Sequence, residues 1–339
     1  MNKGLPEEDR NGHQYIVRYR GMARGRIMKE EFTFLSADGR TQIHAFTAAP
    51  EQGEIRGVLQ ITHGMVEYID RYEPFTQYLT ENGFAVAGMD LLGHGASAVS
   101  KEEWGYFAPE DPGGVLVEDM QELRTLAQEK FSGKPYFMFG HSMGSYLLRR
   151  YLASYGEGLS GAIICGTGYV DEKTTRLGLF IVHVIAAFRG WHYRSRFIQN
   201  LSFGKSYKAF DLTGKNPERS WLTKDTEIVR RYYRDPRCTF RFTLNGYRGL
   251  METVRFDCRQ ENVNRIPWLL PVLIISGAED PVGDLGEGVR KTADMFSKAG
   301  IPDLTCILQS GDRHEILNEL DKEKVFACIL DWMEKRLIM

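Results

Sequence analysis

The pentapeptide Gly140-His141-Ser142-Met143-Gly144 matches G-x-S-x-G, a pattern that presents a serine hydroxyl on a tight strand-to-helix turn. A short apolar run precedes it, and a run with helical spacing follows it. The two glycines leave room for strained backbone at the serine, and the following helix offers free N–H groups to a developing anion. The pattern in this setting predicts that Ser142 is the nucleophile of an acyl-transfer reaction.

A serine nucleophile needs a histidine base and a carboxylate that orients the histidine. In this arrangement the chain order is serine, acid, histidine, and each partner follows the carboxyl end of a strand. Asp280 follows a late apolar run, and His314 follows the next one, so these two residues are the predicted partners of Ser142. Other carboxylates lie nearby in the sequence: Glu279, which is the main alternative acid, Asp284 and Asp312.

The chain contains eight histidines, so the choice of His314 as the base rests on its position. His63, His94 and His141 adjoin glycine in tight turns, and we interpret them as hydrogen-bonded structural residues. The remaining four lie in the N-terminal region or in a later irregular segment: His13, His44, His183 and His192. Only His314 follows a late strand, where the order of the triad requires the base.

The tetrahedral intermediate of acyl transfer carries a negative oxygen that two fixed N–H donors must stabilise, and loss of one donor costs about 3 kcal/mol. The first predicted donor is the backbone N–H of Met143, directly after the nucleophile. The second is expected in the loop after the third strand, where His63-Gly64-Met65 follows an apolar run. We therefore assign the N–H of Met65 as the second oxyanion donor.

The elements that must hold these residues follow from the hydrophobic pattern, which alternates strand-like and helix-like runs from residue 30 onward. Two runs, 31–36 and 41–47, flank a turn and predict a hairpin near the edge of a sheet. After this hairpin, buried strands alternate with helices, which predicts a mostly parallel sheet with helices on both faces. The predicted fold class is therefore α/β.

This alternation stops in the second half of the chain and resumes later, so an insertion interrupts the α/β core. We predict three parts: an N-terminal arm over residues 1–29, a core formed by residues 30–167 and 268–339, and a cap insertion over residues 168–267. The cap is expected to be mainly helical because its clearest pattern has helical spacing.

The insertion contains one strongly apolar stretch, residues 177–188. A helix needs about 20 apolar residues to cross a bilayer, so the stretch is too short to span one. Its large side chains share one stripe at helical spacing: Leu177, Phe180, Ile181, Val184, Ile185 and Phe188. We favour a buried cap helix, and transient contact with a membrane surface is the second hypothesis.

Composition excludes several classes of protein. The 339 residues include 43 Lys and Arg against 45 Asp and Glu, a formal net charge of −2, which argues against nucleic-acid binding. Hydrophobic residues make up 42%, which is enough for a large core. The five cysteines are odd in number and far apart, which favours buried thiols in a reducing compartment. The polar N-terminus lacks the apolar region of a signal peptide, so we expect a cytoplasmic protein.

Five segments carry a resemblance to a known family: residues 59–68, Arg71-Tyr72, residues 90–97 with the pattern D-x-x-G-H-G-x-S, residues 140–144 and residues 313–315. Together they resemble the monoacylglycerol lipase and lysophospholipase branch of the α/β-hydrolases, a serine aminopeptidase S33-like family. The resemblance covers the core and fades in the insertion. It implies an α/β-hydrolase fold with an inserted cap, a triad of Ser142, Asp280 and His314, and oxyanion donors at Met65 and Met143.

The leading hypothesis is a serine hydrolase that cleaves carboxylic esters of acyl lipids, such as a monoacylglycerol or a lysophospholipid, through an acyl-enzyme. The substrate is then a small acyl ester or lipid, and the reaction needs no metal or organic cofactor. One alternative is an aminopeptidase or amidase on the same fold, and a second is a protein that binds a small ligand without turnover. An aminopeptidase would need acidic cap residues to hold a free amine, and the candidates are Asp171, Glu172, Asp211, Glu218, Asp225 and Glu227.

Overall fold

A computed structural model describes the backbone of residues 6–8, 14–16, 18–21 and 27–337, and the side chains of residues 27–337. Most of the arm expected over residues 1–29 falls outside these ranges. The strands are β1 (Pro6–Glu8), β2 (Gln14–Ile16), β3 (Arg18–Gly21), β4 (Ile27–Leu35), β5 (Gln42–Pro50), β6 (Gly57–Thr62), β7 (Phe84–Met89), β8 (Tyr136–His141), β9 (Gly161–Cys165), β10 (Val272–Gly277) and β11 (Leu304–Gln309). The helices are α1 (Glu73–Glu81), α2 (Pro112–Lys130), α3 (Met143–Tyr155), α4 (Glu172–Arg189), α5 (Arg196–Ser202), α6 (Thr226–Arg234), α7 (Leu244–Asp257), α8 (Gln260–Val263), α9 (Glu287–Lys298) and α10 (Lys322–Glu334).

Within the described ranges, nine strands form one sheet in the order β11-β10-β9-β8-β6-β7-β5-β4-β3. The six strands from β11 to β7 in this order run parallel to their neighbours. Strands β5, β4 and β3 add antiparallel pairs at one side of the sheet. The mostly parallel sheet that the sequence predicts is therefore confirmed.

The central strands β6 to β10 are buried along their whole length, because helices cover both faces of the sheet. Successive side chains of a strand point to opposite faces. Leu59 and Ile61 thus pack in the layer that contains α1 and α10, whereas Val58 packs in the layer that contains α2 and α3. Helices on both faces, as the alternation predicts, are confirmed.

The strand and helix on either side of Ser142 are longer than the sequence predicts. The apolar run predicts a strand over residues 136–139, whereas β8 extends to His141; the helical spacing predicts a helix over residues 145–155, whereas α3 begins at Met143. Ser142 is thus the single residue between the two elements and forms the whole turn. A turn this sharp exposes the serine side chain at the edge of the sheet.

The hairpin predicted near the sheet edge is confirmed, because β4 and β5 pair antiparallel. Asp38 stabilises the turn between them: its Oδ1 accepts from the N–H groups of Arg40 and Thr41 at 2.8 Å each. Strand β3, within the predicted N-terminal arm, pairs in turn with β4 and adds a strand to the sheet. Edge strands of a sheet offer unpaired backbone groups, which accounts for this addition.

The inserted segment, residues 168–267, contains helices α4 to α8. Helix α4 packs against α7 through a side that carries small residues, including Gly178 and Ala186. A Cβ at Gly178 would lie 3.1 Å from Met251 Sδ, so the glycine permits a close approach of the two helices. The small side of α4 therefore faces the protein.

The prediction that the large apolar stripe of α4 is buried is wrong. Leu177, Phe180 and Phe188 are 61%, 65% and 84% exposed, and Val184 is 42% exposed. The stripe forms one apolar side of the helix. Helix α7 packs against the opposite side, so the stripe stays exposed. In the part of the chain that the structure describes, no helix is long and apolar enough to cross a membrane.

The expectation of buried thiols holds for two of the five cysteines. All five are free; Cys165 and Cys238 are buried, Cys258 and Cys328 are half-buried, and Cys306 is exposed. Cys306 lies on β11, the edge strand of the sheet, which explains its exposure. An apolar run alone does not distinguish an edge strand from a central one.

Candidate active site

Ser142 forms the turn between β8 and α3 with φ 53° and ψ −119°, a backbone conformation that residues other than glycine rarely adopt. A Cβ at Gly140 would lie 2.3 Å from the carbonyl oxygen of Gly144. A Cβ at Gly144 would lie 2.2 Å from the carbonyl oxygen of Thr62. Only glycine fits at both positions, which explains the G-x-S-x-G spacing and lets the start of α3 approach the end of β6.

Asp280 and His314, the predicted acid and base, lie in contact. His314 Nδ1 donates to Asp280 Oδ2 at 2.9 Å, and the N–H of Val282 donates to Asp280 Oδ1 at 2.8 Å. Both side chains are buried, with exposed fractions of 0% for Asp280 and 2% for His314. Because an ionised carboxylate only accepts hydrogen bonds, the shared proton belongs to Nδ1, which leaves Nε2 as the basic nitrogen of His314.

Backbone hydrogen bonds join the two loops that carry the acid and the histidine. The N–H of Ala278 donates to the carbonyl of Gln309, and the N–H of Glu279 donates to the carbonyl of Asp312, both at 2.8 Å. The loops follow β10 and β11, which are neighbouring parallel strands. The carboxyl ends of parallel strands share one edge of the sheet, so the topology brings Asp280 and His314 together.

The other carboxylates considered as the acid have different surroundings. The side chain of Glu279 is exposed, and the side chain of Asp284 accepts a hydrogen bond from Ser206. Burial, followed by the nearby acidic side chains, raises the pKa of Asp312 to about 6. Asp280 is therefore the carboxylate that meets the histidine.

The loop after β6 passes directly over Ser142, the candidate nucleophile, because a Cβ at Gly64 would lie 2.9 Å from Ser142 Cβ. On either side of Met65, the N–H groups of Gly64 and Val66 donate hydrogen bonds to side chains. The N–H groups of Met65 and Met143 have no acceptor among residues 27–337. The two predicted oxyanion donors are therefore available to a ligand.

Two buried, neutral histidines accept backbone hydrogen bonds and thereby hold the loops around the candidate nucleophile. His94 Nε2 accepts from the N–H of Val66 at 3.3 Å, and His63 Nε2 accepts from the N–H of Leu91 at 2.9 Å. In each ring Nδ1 then donates to a backbone carbonyl close in sequence. Burial lowers the pKa of both histidines, that of His94 to about 3, so both stay neutral near pH 7. The structural role predicted for these two histidines is confirmed.

The inserted segment also reaches the site. The ring of Trp221 lies 5.0 Å from the ring of His314, tilted by 30°. The backbone carbonyls of Trp221 and Leu222 accept from the N–H groups of His314 at 3.4 Å and Glu315 at 2.7 Å. Arg313 adds a bond to the carbonyl of Ser220 at 2.7 Å. The loop that carries the candidate base is thus fixed by the inserted segment as well as by the sheet.

Sequence reasoning assigned no role to Trp221, nor to Glu67, Arg71 and Glu315, which form a buried ionic cluster behind Ser142. The last three stand in the segments that carry the family resemblance, so the sequence did contain a signal for them. Trp221 lies in the insertion, outside every motif, and its position beside the histidine follows only from the fold.

A mostly parallel sheet with a nucleophile turn after one strand, and an acid and a histidine after two later ones, defines an α/β-hydrolase. The family model described as serine aminopeptidase S33 matches residues 53–321, and the chain belongs to this family.

Relatives and solved structures agree with this assignment. A monoacylglycerol lipase of Mycolicibacterium smegmatis is 23% identical over 283 residues, which cover 83% of this chain and 89% of the relative. A monoglyceride lipase homolog of Monkeypox virus is also 23% identical and covers 83% of this chain and 91% of its own. The structure of a thermostable carboxyl esterase from Bacillus coagulans has a TM-score of 0.83 at 29% identity and covers 91% of this chain and 99% of that one. The chain is accordingly a carboxylic ester hydrolase similar to monoacylglycerol lipases.

Replacement of His94 by Phe should loosen the loop that carries Met65. The variant leaves the N–H of Val66 without an acceptor, and a buried donor without a partner costs about 1–3 kcal/mol. The surroundings of His94 are aromatic and accept a phenyl ring: Phe107, Phe240 and Phe242. We expect kcat for a p-nitrophenyl ester to fall by about tenfold or more, because one oxyanion donor loses its position.

The matched control for this variant is His192→Phe. His192 is exposed and stacks on Tyr106, with ring centroids 4.0 Å apart. This control should keep its activity. Equal losses in the two variants would contradict the support role of His94.

Replacement of Asp280 by Asn should lower kcat by about 10³-fold or more, because an amide no longer selects the histidine tautomer with a basic Nε2. Glu279→Gln should retain kcat within about twofold, since this side chain is exposed. Steady-state hydrolysis of a p-nitrophenyl ester by the two folded variants checks both expectations. The acid is misassigned if Glu279→Gln proves to be the inactive variant.

Proposed function

We propose that the chain is a serine hydrolase that cleaves carboxylic esters of long-chain acyl groups, such as monoacylglycerols or lysophospholipids, through an acyl-enzyme. The observation that carries the proposal is the hydrogen bond between His314 Nδ1 and Asp280, at the same sheet edge as the strained turn of Ser142. The likeness to two monoacylglycerol lipases supports the choice of substrate class.

In this mechanism Ser142 Oγ attacks the acyl carbonyl carbon while His314 Nε2 takes the hydroxyl proton. Asp280 stabilises the imidazolium, and the N–H groups of Met65 and Met143 bind the negative oxygen. The ester C–O bond then breaks, and the proton on Nε2 passes to the leaving alcohol. Water then gives a proton to the same nitrogen and attacks the acyl carbon. The bond between this carbon and Ser142 Oγ breaks, the proton on Nε2 returns to Oγ, and the fatty acid leaves.

The surroundings of the candidate base favour an apolar acyl group over a charged one. Trp221 lies beside His314, and the ring of Tyr207 packs against Trp221 at 5.6 Å. Tyr207 is half-buried, and its burial raises the pKa of its hydroxyl well above the usual range, which favours the neutral phenol. Both aromatic residues belong to the inserted segment, which we propose to be the cap over the acyl site.

The structure gives no support to recognition of a free amine. Five of the six acidic residues considered for this role already have partners. Asp171 and Asp225 cap helices, and Glu172 and Glu227 form ion pairs with arginine. Asp211 accepts a hydrogen bond from the backbone N–H of Asn216. Carboxylates that cap helices or pair with arginine would have to give up these bonds to hold an ammonium group. Ester substrates are therefore favoured over amino-terminal peptides.

The inserted segment has the charge and the apolar surface that suit an anionic lipid bilayer. Residues 168–267 carry 19 Lys and Arg against 10 Asp and Glu, whereas the rest of the chain carries 24 against 35. Six large apolar side chains on α4 and α5 are exposed: Leu177, Phe180, Val184, Phe188, Phe197 and Leu201. Basic residues are attracted to anionic headgroups and apolar side chains enter the interface, so we propose that this segment docks on the surface where acyl lipids reside.

The nucleophile assignment is tested with a fluorophosphonate probe and a series of p-nitrophenyl esters. The native chain should be labelled, and kcat/KM should rise with acyl length, because the site is apolar. Ser142→Ala should lose both labelling and hydrolysis. The control is Ser276→Ala: Ser276 is buried, and its hydroxyl has no hydrogen-bond partner among the described residues.

Two outcomes would contradict the proposed function. Absence of labelling in the native chain would favour a protein that binds a ligand without turnover. Faster cleavage of a prolyl p-nitroanilide than of any ester would favour the aminopeptidase alternative.

The membrane contact is tested by sedimentation with vesicles of phosphatidylcholine alone or mixed with phosphatidylglycerol. The native chain should bind the anionic vesicles more strongly, and binding should weaken with salt. Phe180→Ser combined with Phe188→Ser should reduce binding, whereas Val99→Ser combined with Leu320→Ser, at exposed apolar positions outside the insertion, should not. Equal binding to neutral and anionic vesicles would contradict the role of charge.

A further inference from the structure

Four ionisable side chains that the proposed reaction does not use lie together behind the nucleophile turn: Glu67, Arg71, His141 and Glu315. Glu67, His141 and Glu315 are buried, with exposed fractions of 4–5%, and the side chain of Arg71 is 11% exposed. Charges at this depth are strongly destabilising unless they are paired. The four side chains border a cavity of about 10 Å³, the size of one water molecule.

The guanidinium of Arg71 joins two of the loops that form the site. Its Nη1 donates to Glu67 Oε2 at 2.7 Å and to Glu315 Oε1 at 2.8 Å, and its Nη2 donates to Glu315 Oε2 at 2.7 Å. Glu67 lies two residues after Met65, and Glu315 directly follows His314. One side chain thus connects the loop of the oxyanion donor to the loop of the base.

His141 joins the same two loops from the side of the nucleophile. Its Nδ1 lies 3.3 Å from Glu67 Oε1, and its Nε2 lies 3.2 Å from the backbone carbonyl oxygen of His314. Both neighbours are acceptors, so the ring satisfies both only when each nitrogen carries a proton. The arrangement therefore favours an imidazolium at His141, directly before Ser142 in the chain.

Glu67 is fixed by further donors. Its Oε1 accepts from the N–H of Gly64 at 2.5 Å and from the hydroxyl of Tyr72 at 2.9 Å. Gly64 directly precedes Met65, so the carboxylate of Glu67 helps to set the direction of the oxyanion loop.

The charges of the four side chains balance, with two cations and two carboxylates. Burial by itself lowers the pKa of His141, but the hydrogen bond and charge of Glu67, with the charge of Glu315, raise this pKa above its ordinary value. Burial by itself raises the pKa of Glu67, but the hydrogen bond from His141 and the charge of Arg71 lower it well below its ordinary value. The carboxylate of Glu67 therefore stabilises the charged forms of His141 and Arg71, and these two cations stabilise the carboxylate.

We propose that Glu67, Arg71, His141 and Glu315 form an ionic clamp that positions the oxyanion loop and the His314 loop against the nucleophile turn. The four are positioning residues, because none of them is assigned to the reacting atoms. The proposal rests on the function proposed above for Ser142 and His314. It adds that the site depends on the charge of a second histidine.

The clamp has a pH dependence of its own. Glu67 and Tyr72, from the chain after β6, face the His141 ring on one side. His314 and Glu315, from the loop after β11, face it as well. Arg71 lies on the far side of both carboxylates. Since the pKa of His141 is raised on folding, its stabilising contribution is complete below the ordinary histidine pKa of about 6.5. It is lost as the pH rises through the raised value. We therefore expect kcat to decline at alkaline pH, where His141 loses its charge.

The first test is the pH profile of kcat in Glu67→Gln. Loss of this carboxylate removes the main group that raises the pKa of His141, so the alkaline decline should move to lower pH by about one unit. KM should change by less than about threefold, because the clamp is proposed to position the loops and not to bind the substrate. An unchanged alkaline decline in the folded variant would overturn the proposal.

The matched control for this test is Asp303→Asn. Asp303 accepts two bonds from Arg336, at 2.9 and 2.5 Å, before strand β11 and hence at the opposite edge of the sheet. This variant loses an ion pair of similar geometry, so it reports the effect of lower stability alone. Its pH profile should match that of the native chain, and a matching shift in both variants would also overturn the proposal.

A second test uses Arg71→Gln, Glu315→Gln and the double variant, and remains informative where Glu67→Gln does not fold. Each single change leaves an uncompensated charge in the clamp, and kcat should fall by about tenfold or more. The double variant removes one charge of each sign, so its loss should be smaller than the product of the two single losses. Independent, multiplicative losses would contradict a shared clamp.

A third test does not depend on activity. In the full chain labelled with ¹⁵N-histidine, His141 should be doubly protonated at pH 7 by NMR and should deprotonate at lower pH in Glu67→Gln. A neutral His141 at pH 7 would overturn the clamp and leave the proposed function standing. If His141 is an imidazolium but the fluorophosphonate probe does not label the chain, the proposed function is overturned and the clamp is left standing.

Discussion

The strained backbone of Ser142 is the constraint on which the rest of the site depends. A conformation of this kind costs about 1–3 kcal/mol and persists only where its surroundings hold it. Here the N–H of Ser142 donates to the carbonyl of Cys165 at 3.0 Å, and the hydroxyl of Ser145 donates to the carbonyl of Ser142 at 2.6 Å. A side chain at Gly144 would collide with the carbonyl of Thr62 at the end of β6, and a side chain at Gly140 would collide with the carbonyl of Gly144. The strands on both sides of β8 therefore brace the residue that must stay exposed.

The order of the strands explains why distant parts of the chain meet at this turn. The loops after β6, β8, β10 and β11 carry the proposed oxyanion donor, nucleophile, acid and base. These strands lie in one parallel group with β9 between β8 and β10, so all four loops leave the same edge of the sheet. Parallel pairing is thus the physical link between motifs that are separated by up to 250 residues in the sequence. Two backbone bonds between the loops of Asp280 and His314 reinforce their contact.

The fold and the proposed triad were predictable because their signals are local or periodic. The G-x-S-x-G motif defines its own turn, and the alternation of buried strands and helices fixes the order of the loops. The position of α4 was not predictable in the same way. Its stripe of Leu177, Phe180 and Phe188 shows that one side is apolar, but the small residues around Gly178 decide which side meets α7. The place of Trp221 beside His314 depends on the path of the whole insertion, which leaves no pattern in the sequence.

The three histidines next to glycine show most clearly what the sequence leaves open. His63, His94 and His141 have similar neighbours in the chain, and all three are buried. The first two each accept a backbone N–H with one nitrogen and donate with the other, so burial keeps them neutral. His141 faces a carboxylate and a carbonyl oxygen, both of which require a donor, so the same burial strengthens its ion pair with Glu67. The charge of a buried histidine is therefore decided by whether its partners donate or accept, and that choice exists only in the folded chain.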